Sequence, residues 1–308
     1  MMRMTTLRKE AVHYIQAQHG VTPYYQVTPQ EARAMRTVMP WQSVHKPTLA
    51  SIQEQAITVR DGAQITLRLY IPIHHQPLPV IVYYHGGGWV YGNLESVDAG
   101  CQLLAEQAQA IVVSVDYRLA PEFPFPTPLQ DAYDSLVWVH DHIKAFGGDA
   151  AQLTVAGDSA GGNLATVVTH LAASSGGPSL QAQVLIYPVT NVDFTTVSYQ
   201  AYGENFGLDK KGMQWFSQHY TEESNYANPF VSPLQLEDVS HMPKTLLIAA
   251  EADVLFDEGL SYAQKLADAG VPVEHMTMPG LIHSYFSKMH YFEEATIETV
   301  AKIAEFLK

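Results

Sequence analysis

The stretch Leu153-Thr154-Val155-Ala156-Gly157-Asp158-Ser159-Ala160-Gly161 joins an apolar, β-branched run to the helix-compatible segment Asn163 to Leu171. A serine between glycines at such a junction can occupy a sharp strand-to-helix turn that exposes its hydroxyl at the end of a sheet. Gly157 and Gly161 relieve crowding where a side chain would clash, and the helix that follows points its positive end toward the serine oxygen. Gly-x-Ser-x-Gly alone arises by chance in about one chain of this size in ten, given average glycine usage. A second and rarer segment, His85-Gly86-Gly87-Gly88-Trp89, also follows an apolar run. Finding both, in this order, makes coincidence a poor explanation.

Outward from these segments, apolar runs alternate with helix-period stretches, the pattern of an α/β fold with a mostly parallel sheet covered on both faces by helices. About eight strands are predicted. Ala56 to Arg60 and Ile65 to Ile71 flank Asp61-Gly62, a hairpin signal that gives the sheet an antiparallel start. Pro79 to Tyr84, Ile111 to Asp116, Gln152 to Ala156, Gln183 to Tyr187, Thr245 to Ala250 and Val271 to Met278 are short and apolar, as strands buried on both faces should be. A ligand site in such a sheet borders the C-terminal ends of its strands. Pro128 to Phe146 puts Leu129, Tyr133, Leu136, Val137, His140 and Ile143 on one helical stripe, with Gly147-Gly148 as the stop. His140 and His142, two apart on that helix, point to opposite sides and cannot close a metal site.

Two regions break the alternation: residues 1 to about 50, and the aromatic-rich span from about 190 to 243. In the first, Thr28-Pro29-Gln30-Glu31 combines a capping box with proline at the first helical position, and predicts a helix to about Val38. Both regions read as cap elements over the catalytic end of one domain spanning 1–308; the alternative is ordinary packing on its flank.

The 308 residues, 47% hydrophobic, suffice for one large core. A formal charge of -14, from 31 acidic and 17 basic residues, disfavours nucleic acid and anionic membrane surfaces as partners and otherwise serves solubility. Cys101, the one cysteine, has no internal disulfide partner and reads as a buried small hydrophobe. The N-terminal residues lack the apolar stretch of a signal peptide, and no run approaches 18 uncharged apolar residues, so a soluble, cytoplasmic protein is expected.

A serine hydroxyl is a poor nucleophile at neutral pH, so acyl transfer at Ser159 needs a base, a third group to fix the base, and donors for the oxyanion. On sheets that carry such a serine turn, the acid and then the histidine follow in chain order, each on a loop after a strand. His283, just past the last predicted strand, fits the base; His290, deeper in the connection, is the runner-up, and His219, His241 and His275 lack the position. Asp253 follows the seventh strand directly and fits the acid; its rival Asp257 sits a helical turn further on and could cap the following helix. The amides of Gly87, Gly88 and Ala160 fit the oxyanion donors. A phosphate cradle at the same glycines fails for want of a nearby Lys-Ser/Thr ending. Asp158 and Glu122 read as residues that hold loops, and Trp89 and Tyr91 either line the entrance or anchor the glycine loop.

Gly157 to Ala165, Asp116-Tyr117-Arg118-Leu119-Ala120-Pro121-Glu122 and Asp253-x-Leu255-x-Asp257-Glu258-Gly259 extend these motifs. With them the chain resembles, over nearly its whole length, the bacterial hormone-sensitive-lipase-like (family IV) esterases of the α/β-hydrolase fold. The resemblance implies a cap built from the N-terminal residues and an insertion after Tyr187-Pro188, with Ser159 as nucleophile, His283 as base and Asp253 as acid. Gly87, Gly88 and Ala160 would hold the oxyanion. It further implies a short-chain carboxylesterase working through an acyl-enzyme, with a small-molecule ester as substrate and no cofactor or metal, and a homodimer formed through the last strand and helix. Two departures are visible: Ser284-Tyr285 where the family has Gly or Ala and then Phe, and Val254 where it has Pro. A deacetylase of acetylated sugars is the alternative activity. Plant receptors that resemble this family bind without cleaving, having lost the histidine; here His283 is present.

Overall fold

The computed structural model describes residues 5–35 and 46–308. Among them, β1 (Leu49–Thr58), β2 (Gln64–Pro72), β3 (Leu78–Tyr84), β4 (Ile111–Asp116), β5 (Gly148–Asp158), β6 (Ala182–Ile186), β7 (Lys244–Ala252) and β8 (Val273–Ile282) form one sheet in the order β1-β2-β4-β3-β5-β6-β7-β8. β2 pairs antiparallel with β1 and with β4, and every other pairing is parallel. The Asp61-Gly62 turn joins the first two strands: Gly62 takes φ +86°, and Asp61 Oδ1 accepts the Ala63 amide at 3.1 Å.

The helices are α1 (Lys9–Ala17), α2 (Pro29–Ala34), α3 (Leu94–Ala108), α4 (Thr127–His142), α5 (Ala160–Ser174), α6 (Val197–Tyr202), α7 (Lys210–Tyr220), α8 (Phe256–Asp268) and α9 (Met289–Phe306). Strand side chains alternate between faces, so β3 feeds two cores. Val80, Val82 and Tyr84 join Leu136 of α4, Leu164 of α5 and Leu266 of α8. Ile81 and Tyr83 join Cys101 of α3, Val300 of α9 and Ala11 of α1 on the other face. Both faces being covered explains why the parallel strands are continuous apolar runs.

Two strand starts and one helix face differ from the sequence reading. β1 begins at Leu49 rather than Ala56, because 49–55 lies on the sheet edge with its side chains largely exposed and its apolar residues do not alternate with polar ones. β5 begins at Gly148, pairing with Leu78 before a register shift. On α4 the buried face is Leu129, Ala132, Leu136 and Val139, continuing to Ile143; His140 is exposed and Tyr133 and Val137 are half-buried. The true stripe is thus rotated by about one position, following strict three- and four-residue steps.

α2 carries the expected capping box: the Thr28 hydroxyl accepts from the Glu31 amide and Glu31 accepts from the Thr28 amide. The expected end at Val38 lies outside the described residues. The segment 190–243 holds α6, α7 and two 3-10 turns. Among the described residues no helix is long and apolar enough to cross a membrane.

Candidate active site

Ser159 sits between β5 and α5 at φ +56°, ψ -118°, a backbone conformation that L residues rarely adopt. The turn survives because its neighbours have no Cβ: one on Gly161 would lie 1.9 Å from the Tyr84 carbonyl oxygen, and one on Gly157 2.3 Å from that of Gly161. Backbone bonds pin the serine from both sides, its amide donating to Ile186 at 2.9 Å and its carbonyl accepting from Asn163 and Val189.

His283 Nε2 lies 2.8 Å from Ser159 Oγ, and His283 Nδ1 lies 2.6 Å from Asp253 Oδ2. The three side chains come from the ends of β5, β7 and β8 and are only 6%, 4% and 2% exposed for Ser159, His283 and Asp253. An ionised carboxylate only accepts, so Nδ1 carries the proton and Nε2 presents its lone pair to the serine hydroxyl. Asp253 is held in turn by the Leu255 amide on Oδ1 at 3.0 Å. β8 runs on to Ile282, past the predicted end at Met278, and its last turn of chain before His283 is fixed by the Gly280 amide, which donates to Glu251 Oε2 at 2.8 Å.

The residues read as rivals lie elsewhere. Asp257, in the first turn of α8, accepts the Ser198 amide at 2.7 Å and so ties α6 to α8. His290 is exposed at the start of α9. His219 bonds the Trp215 carbonyl on α7, His241 pairs with His170, and His275 is exposed on β8.

Facing the serine turn is the loop after β3. The amides of Val90 and Tyr91 both donate to the Gly87 carbonyl, at 3.1 and 3.0 Å. In a trans peptide the N–H points opposite to the C=O, so the Gly88 amide is turned away from that closed turn. Among the described residues no hydrogen bond uses the amides of Gly87 or Gly88. Ala160 is the first residue of α5, where amides have no partner within the helix. Asp158 ties the loop to the serine turn, Oδ1 accepting from the Gly86 amide at 2.9 Å and from Tyr83 Oη at 3.0 Å. Burial raises its carboxyl above the ordinary range, against the lowering effect of those two donors.

Burial also holds the His85 imidazole down to about 4, so the ring is neutral; Nδ1–H donates to the Gly86 carbonyl and the ring stacks on Tyr117 at 4.3 Å. Trp89, open to two readings in the sequence, is fully buried at φ +60° and stacks face to face on Tyr220 of α7 at 4.1 Å. It anchors the loop. Tyr91 is edge-on to Phe216 of α7 at 5.1 Å.

Sequence reasoning missed Glu258 and Tyr187. Glu258 is buried in α8, its Oε1 accepting from the amides of Thr190 and Asn191 at 2.8 and 3.0 Å, where the chain leaves the sheet after β6. Burial pushes its carboxyl well above the ordinary glutamate range. Tyr187, at φ +36°, lays its buried ring 4.7 Å from that of His283. Glu258 sits inside a quoted motif and so had a signal; Tyr187 had none. Among the described residues no three His, Cys, Asp or Glu side chains gather to hold a metal ion.

A serine turn of this kind, ending the central strand of a sheet in this order, defines an α/β hydrolase. A family model described as alpha/beta hydrolase fold matches residues 81–287. An ethyl acetate hydrolase of Pseudomonas putida is 38% identical over 83% of this chain and 82% of its own. A carboxylesterase of Mycobacterium tuberculosis is 39% identical over 76% and 75%. The crystal structure of a thermostable esterase from Pseudomonas putida ECU1011 superposes with a TM-score of 0.88 at 33% identity, covering 98% of both chains. The chain belongs to the hormone-sensitive-lipase-like family of α/β hydrolases and is a serine carboxylesterase.

Proposed function

We propose that Ser159 is the nucleophile, His283 the general base and acid, and Asp253 the residue that orients His283, in hydrolysis of short-chain acyl esters. The amides of Gly87, Gly88 and Ala160 are the oxyanion donors. The observation that carries this reading is the unbroken run from Asp253 through His283 to Ser159 Oγ, with bonds of 2.6 and 2.8 Å. As Oγ attacks the ester carbonyl, its proton passes to Nε2, and the carbonyl oxygen takes up negative charge facing the glycine amides. The C–O bond breaks, the alcohol leaves with the proton from Nε2, and an acyl-serine remains. Water then attacks the acyl carbon and gives its proton to Nε2; the acyl–Oγ bond breaks, Ser159 Oγ takes that proton back, and the carboxylic acid is released.

Preference for a short acyl group is supported by Phe216 of α7, whose ring lies so close to Gly88 that a Cβ there would meet Cδ1 at 2.2 Å. An aromatic ring already occupies the space over this glycine, and the ethyl acetate hydrolase relative acts by name on a two-carbon acyl group. We read the described N-terminal residues 5–35 and the segment 190–243 as cap elements of a single domain; Tyr24, stacked on Phe216 at 5.0 Å, joins the two. β8, the sheet's outer strand, and α9 would supply a homodimer contact in a cytoplasmic protein, and the charge of -14 argues against a nucleic-acid partner.

The test is a series of p-nitrophenyl esters from acetate to decanoate, with acetylated sugars alongside, on wild type and Ser159→Ala. Activity should peak between acetate and butyrate and fall by at least about a thousandfold in the variant. Equal turnover by both proteins would overturn the nucleophile assignment, and preference for acetylated sugars would replace the simple-ester reading.

A further inference from the structure

Arg33, in the last turn of α2, makes contacts that a surface helix has no structural need of. Its Nε donates to the Val90 carbonyl at 2.7 Å and its Nη2 to the Ala120 carbonyl at 2.7 Å. The same guanidinium pairs two-pronged with Glu122, at 2.8 Å from Nη1 to Oε1 and 2.6 Å from Nη2 to Oε2. Glu122 is half exposed, so the ion pair by itself contributes little to stability. Its effect is geometric, because a planar guanidinium gripped on one edge by a carboxylate can direct its remaining donors along fixed lines.

Those donors reach the glycine loop. The Val90 amide closes on the Gly87 carbonyl, which sets the plane of the Gly87–Gly88 peptide. Ala120, the second carbonyl Arg33 grips, donates its own amide to the Trp89 carbonyl at 2.8 Å. Arg33 therefore holds both strands of backbone that frame the loop, and stands two hydrogen bonds from the Gly87–Gly88 peptide, whose N–H is proposed above as an oxyanion donor. Gly88 itself is at φ +59° and has no side chain with which to hold its position.

We infer that Arg33 is a positioning residue for ester hydrolysis: the N-terminal helix, through this one guanidinium, sets the aim of the oxyanion amides. The inference rests on the oxyanion reading proposed above. It makes cap and catalysis one unit, so that loosening the helix lowers the rate of acyl transfer before it weakens substrate binding.

Arg33→Ala and Arg33→Lys are compared with Arg60→Ala, which breaks a similar two-pronged pair with Asp134 that makes no contact with the glycine loop. Two assays are read: kcat and KM on p-nitrophenyl acetate, and the single-turnover release of p-nitrophenol from diethyl p-nitrophenyl phosphate, whose amplitude counts reactive serines. Arg33→Ala should lose at least about tenfold in kcat and in the phosphorylation rate, with KM and amplitude little changed, since small displacements of oriented groups are costly. Added guanidinium chloride at millimolar concentration should restore part of the rate to Arg33→Ala and none to Arg60→Ala. Arg33→Lys keeps the charge but not the fork, and should fall between; it decides the matter if the alanine variant fails to fold. Rates within about twofold of Arg60→Ala for a folded Arg33 variant, or a loss confined to KM, would overturn the inference. Wild type releasing no stoichiometric p-nitrophenol would instead count against the serine reading on which it rests.

Discussion

Asp158 Oδ1 accepts the amide of Gly86 at 2.9 Å, so the residue next to the serine also fixes the first glycine of the facing loop. The two halves of the site, 72 residues apart in sequence, are registered by one buried carboxylate. Asp158→Ala would orphan that amide and the Tyr83 hydroxyl inside the protein, each at about 1–3 kcal/mol, partly offset by removal of a buried acid. A net loss of about 2 kcal/mol in urea unfolding is expected, with a fall in kcat. Asp158→Asn keeps an acceptor oxygen and should recover most of both.

Asp253→Asn tests the tautomer of His283 separately from its presence. An amide nitrogen at the Oδ2 position would donate toward Nδ1, shifting the proton to Nε2, where it faces the hydroxyl it should receive from. A fall in kcat of about four orders of magnitude is expected, with little change in KM. A loss below tenfold would show that the 2.6 Å bond does not govern turnover.

His85 makes acid stability a measurable consequence of burial. The unfolded imidazole protonates near 6.5, the folded one only at about 4. Between those values the unfolded chain binds the extra proton, so this contribution is complete above about 6.5 and is lost as pH falls toward 4. It amounts to about 3 kcal/mol on an order-of-magnitude basis. Urea midpoints of wild type and His85→Gln across pH 4–7 should converge as the pH drops.

Glu258 gives the opposite slope. Its folded carboxyl holds a proton well above the ordinary range while the unfolded one ionises near 4.5, so the folded state binds more protons and stability falls as pH rises through that window. Glu258→Gln keeps a carbonyl for the Thr190 and Asn191 amides and carries no charge. Its stability relative to wild type should therefore improve from pH 5 to pH 8; parallel curves would show that Glu258 does not titrate in this way.

The fold was legible where burial is total. The strands from β3 to β7 are apolar because helices cover both faces, and the places of Ser159 and Asp253 after two of them, with His283 after the outer strand β8, made the meeting of the three side chains legible. β1 was half hidden because an exposed edge strand alternates nothing, and the α4 face was misplaced by one position because Tyr133 and His140 mimic its spacing. Trp89 could not be resolved from sequence, since what decides its role is Tyr220, 131 residues away. Arg33 stayed silent for the same reason: its partners at Val90 and Ala120 are backbone carbonyls, which leave no trace in residue type.

Cys101 lies on the inner face of α3, wholly enclosed, with burial pushing its thiol far from ionisation. Only the thiolate couples to a maleimide dye, and no other cysteine competes for it. Labelling therefore waits on the lifting of one helix from the sheet, and its rate serves as a built-in clock for how often this protein opens.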